Sequence, residues 1–214
     1  MATVAVIDYG MGNLHSIEKA LKSASPDATV HVTADKALIL AADHIVFPGV
    51  GAIRDCMAAL RKSGLDATIK EVAKTKPILG ICIGMQALLQ HSEENDGIEC
   101  LGLLPGKVIK FTSGSTDHNG DKLKIPHMGW NQVHSISNNP LFEGIAQDER
   151  FYFVHSYHAS QVDPAIVSAN TAYPSDFPCA LQLNNILAVQ FHPEKSQHAG
   201  LQLLKNFLNW DGQS

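Results

Sequence analysis

The sequence KPILGICIGMQALLQ, residues 76–90, changes in its middle from a strand pattern to a helix pattern. Its first part, which ends at Ile81, is an apolar run of the kind that forms a buried strand. Helix formers follow at once over 85–90. Gly80 and Gly84 lie at the change, where a tight turn has no room for side chains. The segment therefore predicts a strand, a sharp turn and a helix.

The rest of the first half repeats this alternation. Apolar and β-branched runs at 3–7 and 44–47 predict buried strands. Helical periodicity follows each of them, first behind the candidate N-cap Asn13 and then from Ile53 to a stop at Gly64. Strands that alternate with helices through short connections predict a parallel sheet covered on both faces.

The second half has a different pattern. Strand-like runs follow one another closely, at 107–111, 151–154, 165–168, 179–183 and 186–191. Turn residues separate these runs, which predicts an antiparallel extension of the sheet. A polar segment at 113–121 predicts a surface loop, and leucines at 201, 204 and 208 predict a closing helix.

Composition limits the class of protein. The 214 residues are 45% hydrophobic and 17% charged, which suits a packed core and excludes disordered, collagen-like and coiled-coil chains. Lys and Arg number 16 against 21 Asp and Glu, so the net charge of −5 points to no nucleic-acid or anionic-membrane partner. We expect one domain over residues 1–214.

Three features favour a cytoplasmic location. The first basic residue is Lys19, so no secretory signal peptide is expected. The most apolar stretch, 37–53, is interrupted too soon for a membrane span by Asp43, His44 and Pro48. The four cysteines form no Cys-x-x-Cys pair and no zinc pattern, so we expect reduced thiols and no metal.

The strongest indication of catalysis in the sequence is Cys82, which lies two residues after Gly80 and two before Gly84. A Gly-x-nucleophile-x-Gly sequence on a strand-to-helix turn is typical of a nucleophile elbow, which projects the reactive side chain above the sheet. A helix N-terminus beside the sulfur favours the thiolate. The alternative is a structural cysteine in a glycine-rich turn.

Two further segments fit a thiol nucleophile. His192-Pro193-Glu194 follows an apolar run, and it supplies a base together with a carboxylate that could orient it. His-x-Glu also occurs in metal sites, but no further ligand cluster supports a metal here. Gly49-Val50-Gly51 either presents backbone N–H groups to an oxyanion or forms an ordinary loop. The segment at 10–12 lacks the third glycine of a dinucleotide site, so no nicotinamide or flavin cofactor is expected.

In combination these motifs resemble the class I (triad) glutamine amidotransferases, and within them the glutaminase subunits of imidazole glycerol phosphate synthases. The motifs that carry the resemblance are Asp8-Tyr9-Gly10-Met11-Gly12-Asn13-Leu14, Pro48-Gly49-Val50-Gly51, Gly80-Ile81-Cys82-Ile83-Gly84-Met85-Gln86, Pro126-His127-Met128-Gly129-Trp130-Asn131 and His192-Pro193-Glu194-Lys195. They follow in order along nearly the whole chain.

The resemblance implies a flavodoxin-like, mostly parallel sheet flanked by helices, and it assigns roles to residues. The catalytic triad would be Cys82, His192 and Glu194. The oxyanion hole would use Ile83 with Val50 and Gly51. The glutamine contacts would be Gly49, Gly51, Gln86, Glu94, Ser156 and Tyr157, with the last two acting through backbone. The family usually has Thr at the position of Ser156, which matters little for a backbone contact.

The resemblance also implies a partner protein. Ammonia from glutamine would pass to a (β/α)8-barrel cyclase subunit in a heterodimer, and such a barrel needs about 250 residues of its own. Trp130, Asn131 and Lys195 would lie at that interface. Trp130 lies in a segment that is too rich in loop formers for a core strand, and tryptophan often anchors interfaces.

Two other functions remain open. The chain could serve another synthase, such as that for anthranilate, although those amidotransferases lack the His-Met-Gly-Trp-Asn segment. It could also be an inactive binding module of the same fold, against which the intact set of Cys82, His192 and Glu194 argues.

Overall fold

The computed structural model describes residues 2–112, 114, 116, 122–135 and 139–213. Most of the polar loop predicted at 113–121 lies outside the described residues. The first half of the chain contains β1 (Thr3–Ile7), α1 (Leu14–Ala24), β2 (Thr29–Thr33), α2 (Lys36–Ala41), β3 (His44–Gly49), α3 (Ile53–Ser63), α4 (Leu65–Val72), β4 (Ile78–Cys82) and α5 (Ile83–Leu88).

The second half is dominated by strands. They are β5 (His91–Ser92), β6 (Ile98–Glu99), β7 (Lys107–Lys110), β8 (His127–Ser135), β9 (Glu149–His155), β10 (Tyr157–Ser160), β11 (Val167–Ala172), β12 (Asp176–Leu183) and β13 (Ile186–Val189). A short 3₁₀ turn, Pro193–Lys195, then leads into α6 (Gln197–Asn209).

Nine strands form the main sheet, in the order β2-β1-β3-β4-β13-β12-β11-β8-β9. The pairs from β2 to β13 are parallel, and those from β13 to β9 are antiparallel. The prediction of a parallel α/β sheet with an antiparallel C-terminal extension is confirmed. β13 joins the two parts, because it runs parallel to β4 and antiparallel to β12. A second sheet has the order β10-β7-β5-β6.

The central strands and helices lie where the sequence predicts them. Every residue of β3 and β4 is buried, as expected for strands that are covered on both faces. Helix α3 ends at Gly64, whose φ of 68° is the left-handed conformation that glycine adopts at helix ends. Helix α1 begins after Asn13, but the side chain of that residue makes no capping hydrogen bond.

Other elements differ from expectation. The segment around Trp130 contains many loop formers, yet it forms a strand, β8, between β11 and β9. Only His127 and Val133 of its residues are buried, so β8 is not a core strand, in agreement with the prediction. Its pairing partners are distant in sequence, and they override local propensity. β2, α2 and α4 were not predicted from the sequence. Helix α5 begins at Ile83 rather than near Met85.

Helix α6 packs directly on the Pro193–Lys195 turn because Gly200 has no side chain. A Cβ atom at Gly200 would lie 1.9 Å from the carbonyl oxygen of Pro193. Backbone lies on both sides of this contact, so no side chain can move to relieve a clash. The close contact fixes the turn that carries Glu194.

We predict that Gly200→Ala destabilises the protein. Alanine in a helix gains about 1 kcal/mol over glycine, but packing an extra carbon against fixed backbone costs up to about 3 kcal/mol. The free energy of unfolding should therefore fall by about 2 kcal/mol, as measured by chemical denaturation. Lys205→Ala, at an exposed position of the same helix, is the control and should change it by less than about 0.5 kcal/mol. A neutral or stabilising Gly200→Ala would contradict the contact.

Candidate active site

Cys82 occupies the sharp turn between β4 and α5. Its backbone has φ 55° and ψ −109°, an unfavourable conformation for a residue with a side chain. The turn is this tight because Gly80 and Gly84 flank it. A Cβ atom at Gly80 would lie 2.5 Å from Leu88 Cδ1, and one at Gly84 would lie 1.9 Å from the carbonyl oxygen of Phe47. The structure thus has the elbow geometry that the glycine spacing predicts.

His192 lies beyond the end of β13, the strand that pairs with β4. Its main-chain N–H donates to the carbonyl of Tyr152 at 2.9 Å, and its own carbonyl accepts from Ser196 Oγ at 2.6 Å. The imidazole Nδ1–H donates to Glu194 Oε1 at 2.8 Å, and the two side chains are only 2% and 1% exposed. A carboxylate can only accept, so the bond fixes which ring nitrogen carries this proton.

The electrostatics of His192 favour a protonated ring. Burial alone would lower the pKa of His192, but interactions with the Cys82 thiol and the Glu194 carboxylate raise that pKa to about 10. Its Nε2 atom is buried and has no hydrogen-bond partner among the described residues. The Nε2 atom of His192 is therefore free to bind a reacting group.

Cys82 and His192 both line a cavity of about 300 Å³. The cavity brings together nine of the predicted residues, which are Val50, Gly51, Cys82, Ile83, Gln86, Glu94, Ser156, Tyr157 and His192. Pro126, Val154 and His155 complete the lining and were not anticipated. A space of this size suits a small metabolite.

Two polar side chains of the cavity are held by specific contacts. Gln86 donates from Nε2 to the carbonyl of Tyr157 and to Gln190 Oε1, both at 3.0 Å. Glu94 accepts from the main-chain N–H of Ile53 at 3.2 Å, which caps the start of α3. One oxygen of Glu94 is thereby fixed, and its second oxygen can contact a ligand.

Sequence reasoning missed Gln190, which is fully buried behind the nucleophile. Its Nε2 donates to Cys82 Sγ at 3.7 Å, a normal distance for a bond to sulfur. The available signal was a polar residue at the end of the apolar run 186–189, since such a side chain must find a partner when it is buried.

Gly49 lies beside the cavity rather than in its lining. It is opposite Cys82 in the β3–β4 register, and a Cβ atom there would lie 2.6 Å from the Tyr9 hydroxyl oxygen. That hydroxyl donates to the carbonyl of Pro48 at 2.9 Å. Tyr9 therefore fixes the peptide that leads into the loop of Val50 and Gly51.

The three predicted interface residues lie outside the cavity lining. The Trp130 ring makes an edge contact with Tyr152 at 6.1 Å, and Lys195 Nζ lies 5.6 Å from the centre of the same Tyr152 ring. Trp130 is 44% exposed. Asn131 points inward and donates to the carbonyl of Ala172 at 2.9 Å. Trp130 and Lys195 therefore share one surface around Tyr152.

Within the described part of the chain, no cluster of three or more His, Cys, Asp or Glu side chains could hold a metal ion. Among the same residues, no helix is long and apolar enough to cross a membrane.

Comparisons with known proteins agree on one family. The model of the family "Glutamine amidotransferase class-I" matches residues 5–210. "Imidazole glycerol phosphate synthase subunit HisH" of Methylococcus capsulatus is 58% identical, over 99% of this chain and 98% of that protein. "Imidazole glycerol phosphate synthase subunit HisH 1" of Pseudomonas aeruginosa is 55% identical, over 99% of each chain.

Solved structures show the same fold at low identity. PurLQS from Thermotoga maritima matches with a TM-score of 0.74 at 19% identity, over 98% of this chain and 99% of that one. A crystal structure of a glutamine amidotransferase matches with a TM-score of 0.74 at 18% identity, over 98% of each chain. At these identities the likeness concerns the fold alone.

We predict that a small thiol reagent labels Cys82 selectively. Burial raises the pKa of Cys56 to about 11 and that of Cys100 to about 12, and it also raises the pKa of Cys179. Cys82 instead lines the cavity and interacts with His192. Iodoacetamide at pH 7 should therefore alkylate Cys82 at least about tenfold faster than the other thiols, as followed by peptide mass spectrometry.

Two variants check this assignment. Cys82→Ser should abolish the fast labelling, whereas Cys100→Ser should leave it intact. Uniform slow labelling of all four cysteines would show that Cys82 is no more reactive than a buried structural thiol.

Proposed function

The chain belongs to the class-I glutamine amidotransferases, and from this premise we propose that it is the glutamine-hydrolysing subunit of an imidazole glycerol phosphate synthase in histidine biosynthesis. The observation that carries the catalytic part is the hydrogen bond from His192 to Glu194, because the ring of His192 lines the same cavity as the strained Cys82 elbow. In this proposal the amidotransferase domain is the whole of residues 1–214.

The proposed reaction is hydrolysis of the side-chain amide of L-glutamine. Cys82 Sγ attacks the amide carbon as a thiolate, and the former carbonyl oxygen becomes an oxyanion. His192 gives its Nε2 proton to the departing nitrogen, so that ammonia leaves and a thioester remains. His192 then takes a proton from water, the hydroxide cleaves the thioester, and glutamate is released. Glu194 holds the imidazole in the required orientation throughout.

Backbone donors stabilise the oxyanion in this proposal. The N–H of Ile83 lies at the start of α5, directly after the nucleophile. A second donor comes from the loop of Val50 and Gly51, which forms another part of the cavity lining. Gly51 has φ 92°, so the loop adopts a backbone conformation that glycine accommodates readily.

The remaining residues of the cavity lining complement the charged and amide groups of glutamine. In this proposal the Glu94 carboxylate pairs with the α-ammonium group of the substrate, and the Gln86 amide forms a hydrogen bond with another of its polar groups. The backbone of Ser156 and Tyr157 lines the adjacent part of the cavity, and Gly49 lets α5 approach β3 closely. No metal or cofactor takes part in any step.

In this proposal the ammonia passes to a partner protein, which uses it as a substrate. The partner is a (β/α)8-barrel cyclase that forms a heterodimer with this chain and combines ammonia with a phosphorylated ribulosyl aminoimidazole carboxamide. Its products are imidazole glycerol phosphate and an aminoimidazole carboxamide ribotide. Exposed apolar side chains support a protein interface on β8, where Met128 is 62% and Trp130 is 44% exposed. Asn131 and Lys195 belong to the same proposed interface, and the cytoplasm is the proposed location of the complex.

Cys82→Ser should abolish glutamine-dependent synthesis by the complex while synthesis from added ammonium salt continues. A serine hydroxyl is too weak an acid for His192 to generate an equivalent nucleophile, and a loss of about 10³-fold or more is expected. The comparison is between product formation with glutamine and with ammonium. Loss of both activities would mean that Cys82 is structural. Stimulation by an anthranilate synthase component instead of the cyclase would assign the chain to that enzyme.

Trp130→Ala should weaken binding to the cyclase by about 30-fold or more, because an exposed tryptophan on an apolar surface is a typical interface anchor. The melting temperature of the isolated chain should hardly change, since surface substitutions cost within about 0.5 kcal/mol. Leu38→Ala is the control, because Leu38 is 41% exposed on α2 at the opposite edge of the sheet. A large fall in melting temperature with unchanged affinity would place Trp130 in the core instead.

A further inference from the structure

Two buried histidines lie side by side, and one of them lines the cavity. His127 of β8 and His155 of β9 are directly paired across the antiparallel ladder. They are 3% and 6% exposed. The His127 ring is stacked on Tyr173 at 4.0 Å and on Phe153 at 4.9 Å. The stacking holds the imidazole plane of His127 in one orientation.

A continuous chain of hydrogen bonds runs through these rings, and we call it the histidine relay (Asn131, His127 and His155). Asn131 Nδ2 lies 3.3 Å from His127 Nε2. His127 Nδ1 lies 3.0 Å from His155 Nε2. His155 Nδ1 lies 2.7 Å from the carbonyl oxygen of Tyr157.

The chemistry of the groups fixes the direction of every bond in the relay. The carbonyl of Tyr157 can only accept, so His155 carries its proton on Nδ1 and accepts at Nε2. His127 must then donate from Nδ1 and accept at Nε2. The amide nitrogen of Asn131 donates to His127 Nε2 and also to the carbonyl of Ala172.

Both rings are neutral, as this pattern requires. Burial lowers the pKa of His127 to about 4. Burial also lowers the pKa of His155, and nearby imidazoles lower it further, to about 3. A neutral imidazole has one donor and one acceptor, so neither ring can reverse its bonds without breaking the relay.

The relay ends on the wall of the cavity. The carbonyl of Tyr157 accepts from His155 and also from Gln86 Nε2 at 3.0 Å. The same Gln86 nitrogen donates to Gln190 Oε1. Gln86 Oε1 therefore remains as a buried acceptor without a partner among the described residues, in a side chain that lines the cavity. The relay thus helps to set which end of the Gln86 amide a ligand meets.

The other end of the relay lies on the strand with the exposed apolar side chains. Side chains alternate along a strand, so Met128 and Trp130 point outward while His127 and Asn131 point inward. Any displacement of β8 by a protein bound to its outer face would move the donor and acceptor groups of the relay.

We propose that Asn131, His127 and His155 are positioning residues that orient the glutamine-binding wall and make glutamine affinity depend on the position of β8. The inference rests on the proposed function, because it takes glutamine as the ligand and a partner on β8. It adds a physical route by which the partner-bound surface controls substrate binding.

The first test separates substrate binding from turnover in the complex of the full chain with the cyclase. His127→Phe keeps a ring of similar shape but removes the donor to His155 and the acceptor for Asn131. The KM for glutamine should rise about tenfold, as expected when a buried group loses its hydrogen-bond partner. The kcat should change less than KM does, because the hydrogen bonds from the relay reach Cys82 only indirectly, through Gln86 and Gln190.

Two further variants serve as controls. His127→Asn restores an amide donor near the position of Nδ1 and should bring KM back to within about threefold of the unsubstituted protein. His158→Phe makes the same chemical change in the same aromatic cluster, since His158 is stacked on Phe111 at 4.5 Å, but it lies outside the relay. It should leave KM unchanged. An unchanged KM in His127→Phe, with or without a fall in kcat, would overturn the proposal that the relay sets glutamine affinity.

A second measurement does not depend on enzyme activity. Nitrogen-15 NMR of the full chain at pH 7 should show His127 and His155 both neutral and both protonated on Nδ1. A His155 ring protonated on Nε2, or a charged ring at either position, would overturn the relay. If the unsubstituted complex does not hydrolyse glutamine, the proposed function fails, whereas the NMR result still decides the relay.

Discussion

The close backbone contact between α5 and β3 is the constraint on which the rest of this site depends. Gly84 lies so near Phe47 that any side chain would collide with a carbonyl oxygen 1.9 Å away. Because the helix starts this close to the strand, the chain must turn at Cys82 in a strained conformation. The same approach places the N–H at the start of α5 next to the loop that follows β3. The nucleophile and the proposed oxyanion donors are thus products of one packing contact.

The second half of the site depends on β13, which belongs to both parts of the sheet. Its parallel pairing with β4 brings the turn of His192 and Glu194 beside the elbow. Its antiparallel pairing with β12 continues the sheet to β8 and β9, and Val154 and His155 line the cavity from β9. A parallel core therefore supplies the proposed chemistry, and an antiparallel extension supplies a binding wall and an exposed surface. The two are mechanically connected through a shared sheet.

Histidines in this small region have opposite electrostatic properties. The pKa of His192 is raised because its neighbours Cys82 and Glu194 outweigh the effect of burial, which favours the protonated ring. The pKa of His127 and that of His155 are lowered because aromatic rings and other neutral groups surround them. Burial alone favours the neutral ring, and only a nearby carboxylate or thiol reverses that preference. The surroundings of each ring therefore decide its charge. They favour the protonated form of His192 and the neutral forms of His127 and His155.

The sequence alone determined the features that depend on neighbours along the chain. Glycine spacing around Cys82 predicts the turn, apolar runs predict β1, β3 and β4, and the order of motifs indicates the family. Only the tertiary structure decided the features that depend on distant pairing. Local residues favour a loop around Trp130, yet pairing with β9 makes it a strand. The relay through His127 follows from that register as well, whereas the burial of Gln190 follows from the place of β13 between β12 and β4. Such contacts join residues far apart in sequence, so no local pattern can encode which side chains will meet.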